Sequence, residues 1–140
     1  HLTTAKNSDG EFIVDAVGSD AGALPRNVNI EQAMRMVKFG ALEPLEMVSK
    51  LSLNPAKMIG LGSKGRLTEG FDADVTIVDP IPGKASYGIV AGKMIMLASR
   101  VVGSGGTILT TERGVNAVDK SGISHEVIDL TKAMMYAGRN

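Results

Sequence analysis

Hydrophobic positions change their spacing twice along the chain, and each spacing predicts a different kind of element. Residues 12–17 form a short apolar run of the length expected for a buried strand in a parallel sheet. Between residues 29 and 60 the apolar positions recur every three or four residues, which is the period of an amphipathic helix. Beyond residue 62, glycines separate short runs of β-like composition. The pattern therefore predicts a mixed α/β chain.

Start and stop signals divide the helical region into three helices. Asn29 and Gln32 have the spacing of a capping box, and a proline takes the first helical position of the other two helices. The predicted helices run from Asn29 to near Gly40, from Glu43-Pro44 onward, and from Asn54, as N-cap, to Gly60. The predicted inward-facing residues are Ile30, Ala33, Met34 and Val37 in the first helix and Leu45, Val48 and Leu51 in the second.

The glycine-punctuated half of the chain predicts short antiparallel strands in a small sheet or sandwich. The runs behind this prediction are residues 65–67, 74–79, 87–90, 94–97 and 100–102. After a glycine-rich turn, the pattern predicts a further segment of mixed structure. Its expected elements are a strand at 107–110, a helix at 112–120, a strand at 126–128 and a helix at 130–136.

Composition narrows the classes of function. The 140 residues include 15 Lys and Arg against 15 Asp and Glu, whereas proteins that bind nucleic acids or membrane surfaces need a basic surplus. The absence of cysteine rules out a disulfide scaffold, a thiolate nucleophile and a cysteine-ligated metal in this chain, and is compatible with a cytoplasmic location. No apolar run approaches the roughly 18 residues of a membrane span. We expect neither nucleic acid nor membrane as a partner.

Asp20 and His125 are the candidates for chemistry. Asp20 follows the predicted strand at residues 12–17 among small residues, so it would project beyond the strand's C-terminal end, where active sites of α/β proteins form. Taken alone, the local pattern favours an aspartate that caps a turn. His125 lies beside an apolar run, and no serine of the chain lies in a nucleophile-elbow motif. His125 is therefore interpreted as a surface or strand-end histidine.

Three motifs that follow Asp20 in order change this balance. They are the helix start Asn54-Pro55-Ala56, the turn GRLTEGFDAD at residues 65–74, and the late Gly92-Lys93 hairpin. In order and spacing they resemble the C-terminal portion of the metal-dependent amidohydrolase superfamily, which includes dihydroorotases, imidazolonepropionases and deacetylases. The resemblance covers about residues 12–103 and rests on the three motifs together, since each alone is weak.

The resemblance implies a fold and a role for Asp20. Residues 1–62 would be the last βα unit of a (β/α)8 metal-dependent hydrolase barrel, residues 63–103 part of a small β-sandwich, and residues 104–140 an α/β extension of unknown role. In the family, the final barrel strand ends in an aspartate that contacts the metal and accepts a proton from the hydrolytic water. The segment GSDAG at residues 18–22 resembles that element, which implies both roles for Asp20.

The remaining metal ligands of the family have no counterpart in this sequence, and a complete barrel needs about 250 residues. The resemblance thus implies the C-terminal part of an enzyme that hydrolyses a C–N bond (amide, cyclic amide or amidine) of a small-molecule substrate with metal-activated water. A divalent metal, zinc, is expected in the parent enzyme, and none in the isolated chain, which should be inactive. The expected partner is the remainder of the barrel or another subunit, within a homo-oligomer.

Two other hypotheses stay open. A free-standing, non-catalytic α+β module for oligomerisation or partner binding would account for residues 104–140 and for the eight methionines, which suit adaptable apolar contacts. A small independent enzyme would instead use His125, and replacement of that histidine by alanine would then abolish activity. A coding segment upstream of residue 1 with a His-x-His motif would favour the hydrolase over both.

Overall fold

The computed structural model describes residues 2–19, 28–104 and 107–136, which form a helical layer, a four-stranded sheet and a smaller two-stranded sheet. The helices are α1 (Asn29–Lys38), α2 (Pro44–Val48), α3 (Asn54–Ile59) and α4 (Val115–Asp119). The strands are β1 (Val75–Asp79), β2 (Lys84–Val90), β3 (Lys93–Leu97), β4 (Arg100–Val101), β5 (Ile108–Thr110) and β6 (His125–Val127). None of the helices in these ranges has the length and hydrophobicity needed to span a bilayer. The mixed α/β class predicted from the sequence is confirmed.

Helix α1 forms where its apolar period predicts, although its cap differs from the prediction. Val28 is the N-cap and makes no side-chain capping bond, because its side chain has no polar atom, and Asn29 already lies inside the helix. The N–H of Gln32 donates to the Val28 carbonyl oxygen at 2.9 Å, which is the first intrahelical bond. The predicted capping box is therefore wrong. The predicted stop is confirmed, since Gly40 has φ +68° and its N–H donates to the carbonyl oxygen of Val37.

Helix α2 begins at its predicted position but turns a different face inward. The Glu43 and Glu46 side chains form a reciprocal capping box ahead of Pro44. Met47 is buried against α1, whereas Leu45 is 77 % exposed. The predicted inward position of Leu45 is wrong, because the residue that meets the methionine and alanine of α1 is Met47, two positions further along the helix.

The helix continues without a break from α2 into α3. The predicted N-cap at Asn54 requires a break there and is therefore wrong. A π-helical turn, Ser49–Leu53, joins the two helices, and the N–H of Asn54 donates to the carbonyl oxygen of Ser49, five residues earlier. Pro55 explains the wider turn, because it has no N–H and its ring crowds the carbonyl of Leu51. Asn54 is thus a helical residue, and its side chain is available for a contact outside the helix. The predicted stop at Gly60 is confirmed, with φ +78°.

Strands β1 to β4 pair antiparallel in chain order, as the sequence predicts. Val78 of β1 packs on the core formed by Ala33, Met34 and Met47, which joins the sheet to the helical layer. The predicted run at residues 65–67 forms no strand. Gly65 has φ +93°, and a Cβ there would lie 2.9 Å from Cβ of Ala56, so this segment packs against α3 instead of pairing.

Residues 12–17 do not form the predicted strand. Phe12 makes an isolated antiparallel bridge with Lys6, Ile13 lies in a bend, and residues 14–17 have no regular secondary structure. Within the described ranges no strand lies beside it, and an extended segment becomes a β-strand only by sharing hydrogen bonds with a neighbour. Its polar backbone groups therefore bond elsewhere.

The C-terminal segment contains a βαβ unit. Strands β5 and β6 are parallel, with Ile108 opposite His125, and a 3₁₀ turn followed by α4 connects them. The first strand and the helix predicted here are confirmed in shorter form, and the second strand is confirmed one residue earlier than predicted. The helix predicted at 130–136 is wrong: two 3₁₀ turns, Leu130–Lys132 and Met134–Tyr136, occupy these positions, and Ala133 between them is 2 % exposed.

Gly60 is the position where this C-terminal segment meets α3. A Cβ added at Gly60 would lie 2.7 Å from the Asp129 carbonyl oxygen and 3.2 Å from the Ala133 nitrogen. Gly40 shares the left-handed backbone of Gly60, but nothing lies within 4 Å of its added Cβ. An alanine at Gly40 would therefore introduce backbone strain alone, whereas an alanine at Gly60 would introduce the same strain and a steric clash.

We expect Gly40→Ala to lower the free energy of unfolding by about 1–2 kcal/mol, the cost of a left-handed residue with a Cβ. Gly60→Ala should cost at least about 1 kcal/mol more, because the Asp129 backbone must also move. Urea denaturation of both variants measures the difference. Equal losses in the two variants would contradict the contact between Gly60 and the C-terminal segment.

Candidate functional site

Asp20, the one residue to which the sequence assigns catalysis and metal contact, lies outside the described residues. The structure does describe the segment that precedes it in the chain, residues 12–19, together with the helix on which that segment lies. The surroundings of this segment are therefore the part of the candidate site that the geometry defines.

The backbone of this segment is held by two side chains and one carbonyl of the continuous helix that α2, the π turn and α3 form together. The Lys50 ammonium donates to the carbonyl oxygen of Val14, and Asn54 Nδ2 donates to that of Asp15 at 2.7 Å. The N–H of Val17 in turn donates to the Lys50 carbonyl oxygen at 3.3 Å. These three bonds take the place of a strand ladder along residues 14–17.

Lys50 is an unusual residue for a buried helix face, since it is only 2 % exposed. Its ammonium lies 3.7 Å from the ring centroid of Phe12, a cation–π contact that partly replaces the lost water. Burial lowers the pKa of Lys50, while the negative charges of Asp15 and Glu46 act in the opposite direction and Lys6 adds to the lowering. The ammonium is thus held by a carbonyl and a ring, without a direct ion pair among the described residues.

A second charged cluster is centred on Lys64, in the loop after α3. Its Nζ lies 2.6 Å from Asp72 Oδ2, 2.8 Å from Asp74 Oδ2 and 4.0 Å from Glu126 Oε2. Asp74 Oδ1 also accepts the N–H of Ala91 in the β2–β3 turn at 2.8 Å. The hydrogen bonds to the two aspartates raise the pKa of Lys64, and the bonds from Lys64 and Ala91 lower the pKa of Asp74.

The Lys64 cluster is built for structure. Each aspartate is bonded to the lysine, and the lowered pKa of Asp74 is the opposite of what a general base working near neutral pH needs. Its contacts instead join the loop, the sheet and, through Glu126, the C-terminal segment. The sequence interpretation of Asp72 and Asp74 as residues flanking a turn is consistent with this geometry, but Lys64 and Lys50 were both missed. A lysine four residues before Asn54 on an apolar face was the one available signal for Lys50.

An open cavity of about 620 Å³ separates the helical layer from the sheet. Its apolar lining includes Met47, Leu51, Ile59, Val75 and Ile89. Lys64 and Asp74 lie at its polar side, already paired with each other. The walls therefore suit an apolar side chain or group, and none of the charged residues named here is available for hydrolytic chemistry.

Neither His125 nor any group of possible metal ligands forms a catalytic arrangement among the described residues. His125 Nδ1 lies 3.6 Å from Asp119 Oδ1 in the C-terminal segment, and no serine hydroxyl of the described residues is hydrogen-bonded to it. The geometry thus gives no support to a triad on His125. Across residues 2–19, 28–104 and 107–136, no group of three histidines or carboxylates could hold a metal ion. The described residues do not by themselves fit a catalytic metal centre.

Comparison with known proteins gives one family match. The model of the amidohydrolase family matches residues 3–111 of this chain. A dihydroorotase from Pelotomaculum thermopropionicum is 51% identical over 45 residues, which cover 32% of this chain and 10% of that protein. An imidazolonepropionase from Thermoplasma volcanium is 38% identical over 65 residues, covering 45% of this chain and 16% of that protein.

A further relative and a solved structure are also similar to this chain. An N-acetylglucosamine-6-phosphate deacetylase from Lysinibacillus sphaericus is 42% identical over 62 residues, 44% of this chain and 16% of that protein. The crystal structure of a beta-aspartyl dipeptidase from Fervidobacterium islandicum aligns with a TM-score of 0.46 at 23% identity, over 71% of this chain and 24% of that one. The matches to the three curated relatives thus span between 10% and 16% of their length.

The Lys64 cluster predicts a stability that depends on acid pH. The pKa of Asp74 is lowered in the folded protein, so its contribution is present in full above the ordinary value of 3.8 and is lost as the pH falls through the lower folded value. We expect Lys64→Met to lower the free energy of unfolding at pH 7 by about 1–2 kcal/mol and to flatten its decline below pH 4. Urea denaturation at pH 7 and pH 3 measures both effects.

Lys57→Met is the matched control, since Lys57 is an exposed lysine of α3. It should leave both the stability at pH 7 and its acid dependence within about 0.5 kcal/mol of the starting protein. A Lys64→Met variant that behaves like Lys57→Met would show that the cluster contributes nothing to stability.

Proposed function

The chain belongs to the amidohydrolase family, and from that premise we propose that it is the C-terminal part of a metal-dependent enzyme that hydrolyses a C–N bond. The bond would be an amide, cyclic amide or amidine in a small molecule. Support comes from the family match over residues 3–111 and from relatives named dihydroorotase, imidazolonepropionase and N-acetylglucosamine-6-phosphate deacetylase. We further propose that the metal is zinc and that most of its ligands come from outside this chain.

The observation that carries this proposal is the amount of surface that the chain exposes. Its accessible area is 10105 Å², whereas a folded monomer of 14.6 kDa exposes about 6,900 Å². The excess of about 3,000 Å² is of the size that permanent interfaces bury. A chain that completes its fold by packing against the remainder of a barrel would expose such an excess when considered alone.

The exposed apolar residues lie on both layers. Phe39 is 86 % exposed after α1, and Ile77 and Tyr87 form a cross-strand pair on the sheet that is also accessible. Apolar side chains on both faces of a sheet are expected where each face is covered by another layer. We therefore propose that residues 1–62 complete a barrel, that residues 63–103 belong to a β-sandwich, and that residues 104–140 are an extension on these two parts.

Asp20 takes the catalytic role in this proposal. Its carboxylate would provide one oxygen ligand to the metal and accept a proton from the water that attacks the substrate, two tasks for which an ionised carboxylate is suited. The bound metal would supply the activation of that water. The isolated chain would have neither a complete metal site nor activity, because one carboxylate cannot hold a catalytic ion.

We also propose an oligomeric state and a cellular location for the protein. A homo-oligomer would cover part of the exposed apolar surface, and a cytoplasmic location stays a prediction. The alternative, a non-catalytic module for oligomerisation or partner binding, draws on the segment beyond residue 111, where α4 and β6 lie outside the family match. An upstream coding segment with a His-x-His motif would decide for the hydrolase.

We expect Asp20→Asn in the complete polypeptide to lower kcat by at least about a hundredfold, because the amide cannot accept the proton. Hydrolysis of a panel of cyclic amides, followed by the loss of substrate absorbance, is the measurement. Asp9→Asn, a change in an exposed turn near the N-terminus, should retain full activity. Equal activity of the two variants would refute the role of Asp20.

The isolated 140-residue chain should self-associate or bind a hydrophobic dye strongly, because its apolar faces are uncovered. Sedimentation velocity and dye fluorescence measure the two effects. A stable, compact monomer that binds no dye would contradict the proposal that this chain completes its fold against a larger body.

A further inference from the structure

Lys50 and Asn54 act on the same short stretch of backbone. They lie four residues apart in the continuous helix formed by α2, the π turn and α3, and their side chains donate to the neighbouring carbonyl oxygens of Val14 and Asp15. The Lys50 carbonyl then accepts the N–H of Val17, so the helix bonds three backbone groups within four residues of the segment. No other hydrogen bond to these three backbone groups is found in the described part of the chain.

Both residues are costly choices for their positions. A lysine that is 2 % exposed loses most of its hydration, and no carboxylate of the described residues lies within ion-pairing distance of it. Asparagine is a poor helix former, yet Asn54 lies inside the helix and does not cap it. A methionine at position 50 would avoid the desolvation of a charge and an alanine at position 54 would favour the helix, so the two donors are explained by the segment that they bind.

That segment leads directly into the proposed catalytic residue. Val17, whose N–H is the last group held by the helix, precedes Asp20 by three positions in the chain. A proton acceptor works only within hydrogen-bond reach of the water, and a displacement of about 1 Å can cost about a hundredfold in rate. The backbone that carries it therefore has to be fixed, and the described residues offer no neighbouring strand to fix it.

We propose that Lys50 and Asn54 are positioning residues that hold residues 14–17, the backbone that leads along the chain toward Asp20, in place. This inference rests on the proposed function for its catalytic consequence, but its structural part stands on the contacts alone. Neither residue contacts substrate or metal; both act through the backbone of the segment.

The test uses two variants of the complete polypeptide that keep side-chain size and remove the donor. Lys50→Met removes the ammonium, and Asn54→Asp replaces the donating amide by an oxygen. Amide hydrogen exchange of residues 12–19 should become about tenfold faster in each, since a hydrogen bond of about 1–2 kcal/mol is lost. Exchange in residues 75–97 of the sheet should stay unchanged and serves as the internal reference.

The catalytic consequence has its own measurement. In both variants kcat should fall about tenfold or more while KM changes less than about twofold, because the loss lies in the placement of the proton acceptor. Lys57→Met, the same substitution at an exposed lysine of α3, should alter neither exchange nor kcat. Asn54→Asp changes a partly exposed residue and so keeps the test decisive if Lys50→Met fails to fold.

Three outcomes would overturn the inference: unchanged exchange in residues 12–19, an equal rise in the sheet, or unchanged kcat in variants whose segment exchanges faster. Full activity of Asp20→Asn would instead refute the proposed function. Hydrogen exchange alone would then decide whether Lys50 and Asn54 hold the segment.

Discussion

Backbone polar groups that are removed from water must find partners, and this constraint determines how the described parts of the chain are arranged. The sheet β1–β4 meets it internally, because each strand pairs with the next one along the chain. Residues 14–17, which are half-buried or exposed, have no strand beside them among the described residues, and the side chains of Lys50 and Asn54 donate to two of their carbonyl oxygens. The sheet thus forms its backbone hydrogen bonds internally, whereas residues 14–17 receive theirs from a helix that carries Lys50 and Asn54.

The same constraint explains which elements the sequence predicts correctly. Strands β1 to β3 form hairpins with local turns, and the stop at Gly60 depends on a single left-handed residue, so a short stretch of sequence contains the whole signal. The run at residues 12–17 has the composition of a strand, but a strand exists only beside a partner, which composition does not reveal. The prediction of which face of α2 points inward is wrong for a related reason. The position of α1 decides whether Leu45 or Met47 is buried.

Some residues of the candidate site can be proposed from short motifs in the sequence, whereas others are recognised only from contacts between distant parts of the chain. Asp20 is proposed from motifs that are read along the chain, whereas the roles of Lys50 and Lys64 arise from contacts 36 and 10 residues away in sequence. A lysine is usually a solvated residue, so its type alone predicts neither contact. Pro55 adds a further effect that a periodic pattern cannot represent, because the π turn before it changes which side chains share a face.

Helix α3 is the element through which the extension and the segment before Asp20 are mechanically connected. Asn54 at its first residue binds the Asp15 carbonyl, while Gly60 just after its end lies against the backbone of Asp129 and Ala133. Lys64, in the next loop, reaches Glu126 of β6. The bond of Asn54 and the contact at Gly60 therefore lie at opposite ends of one short helix. The extension beyond the family match thereby supports the helix that holds the segment, which gives it a structural reason to accompany this fold.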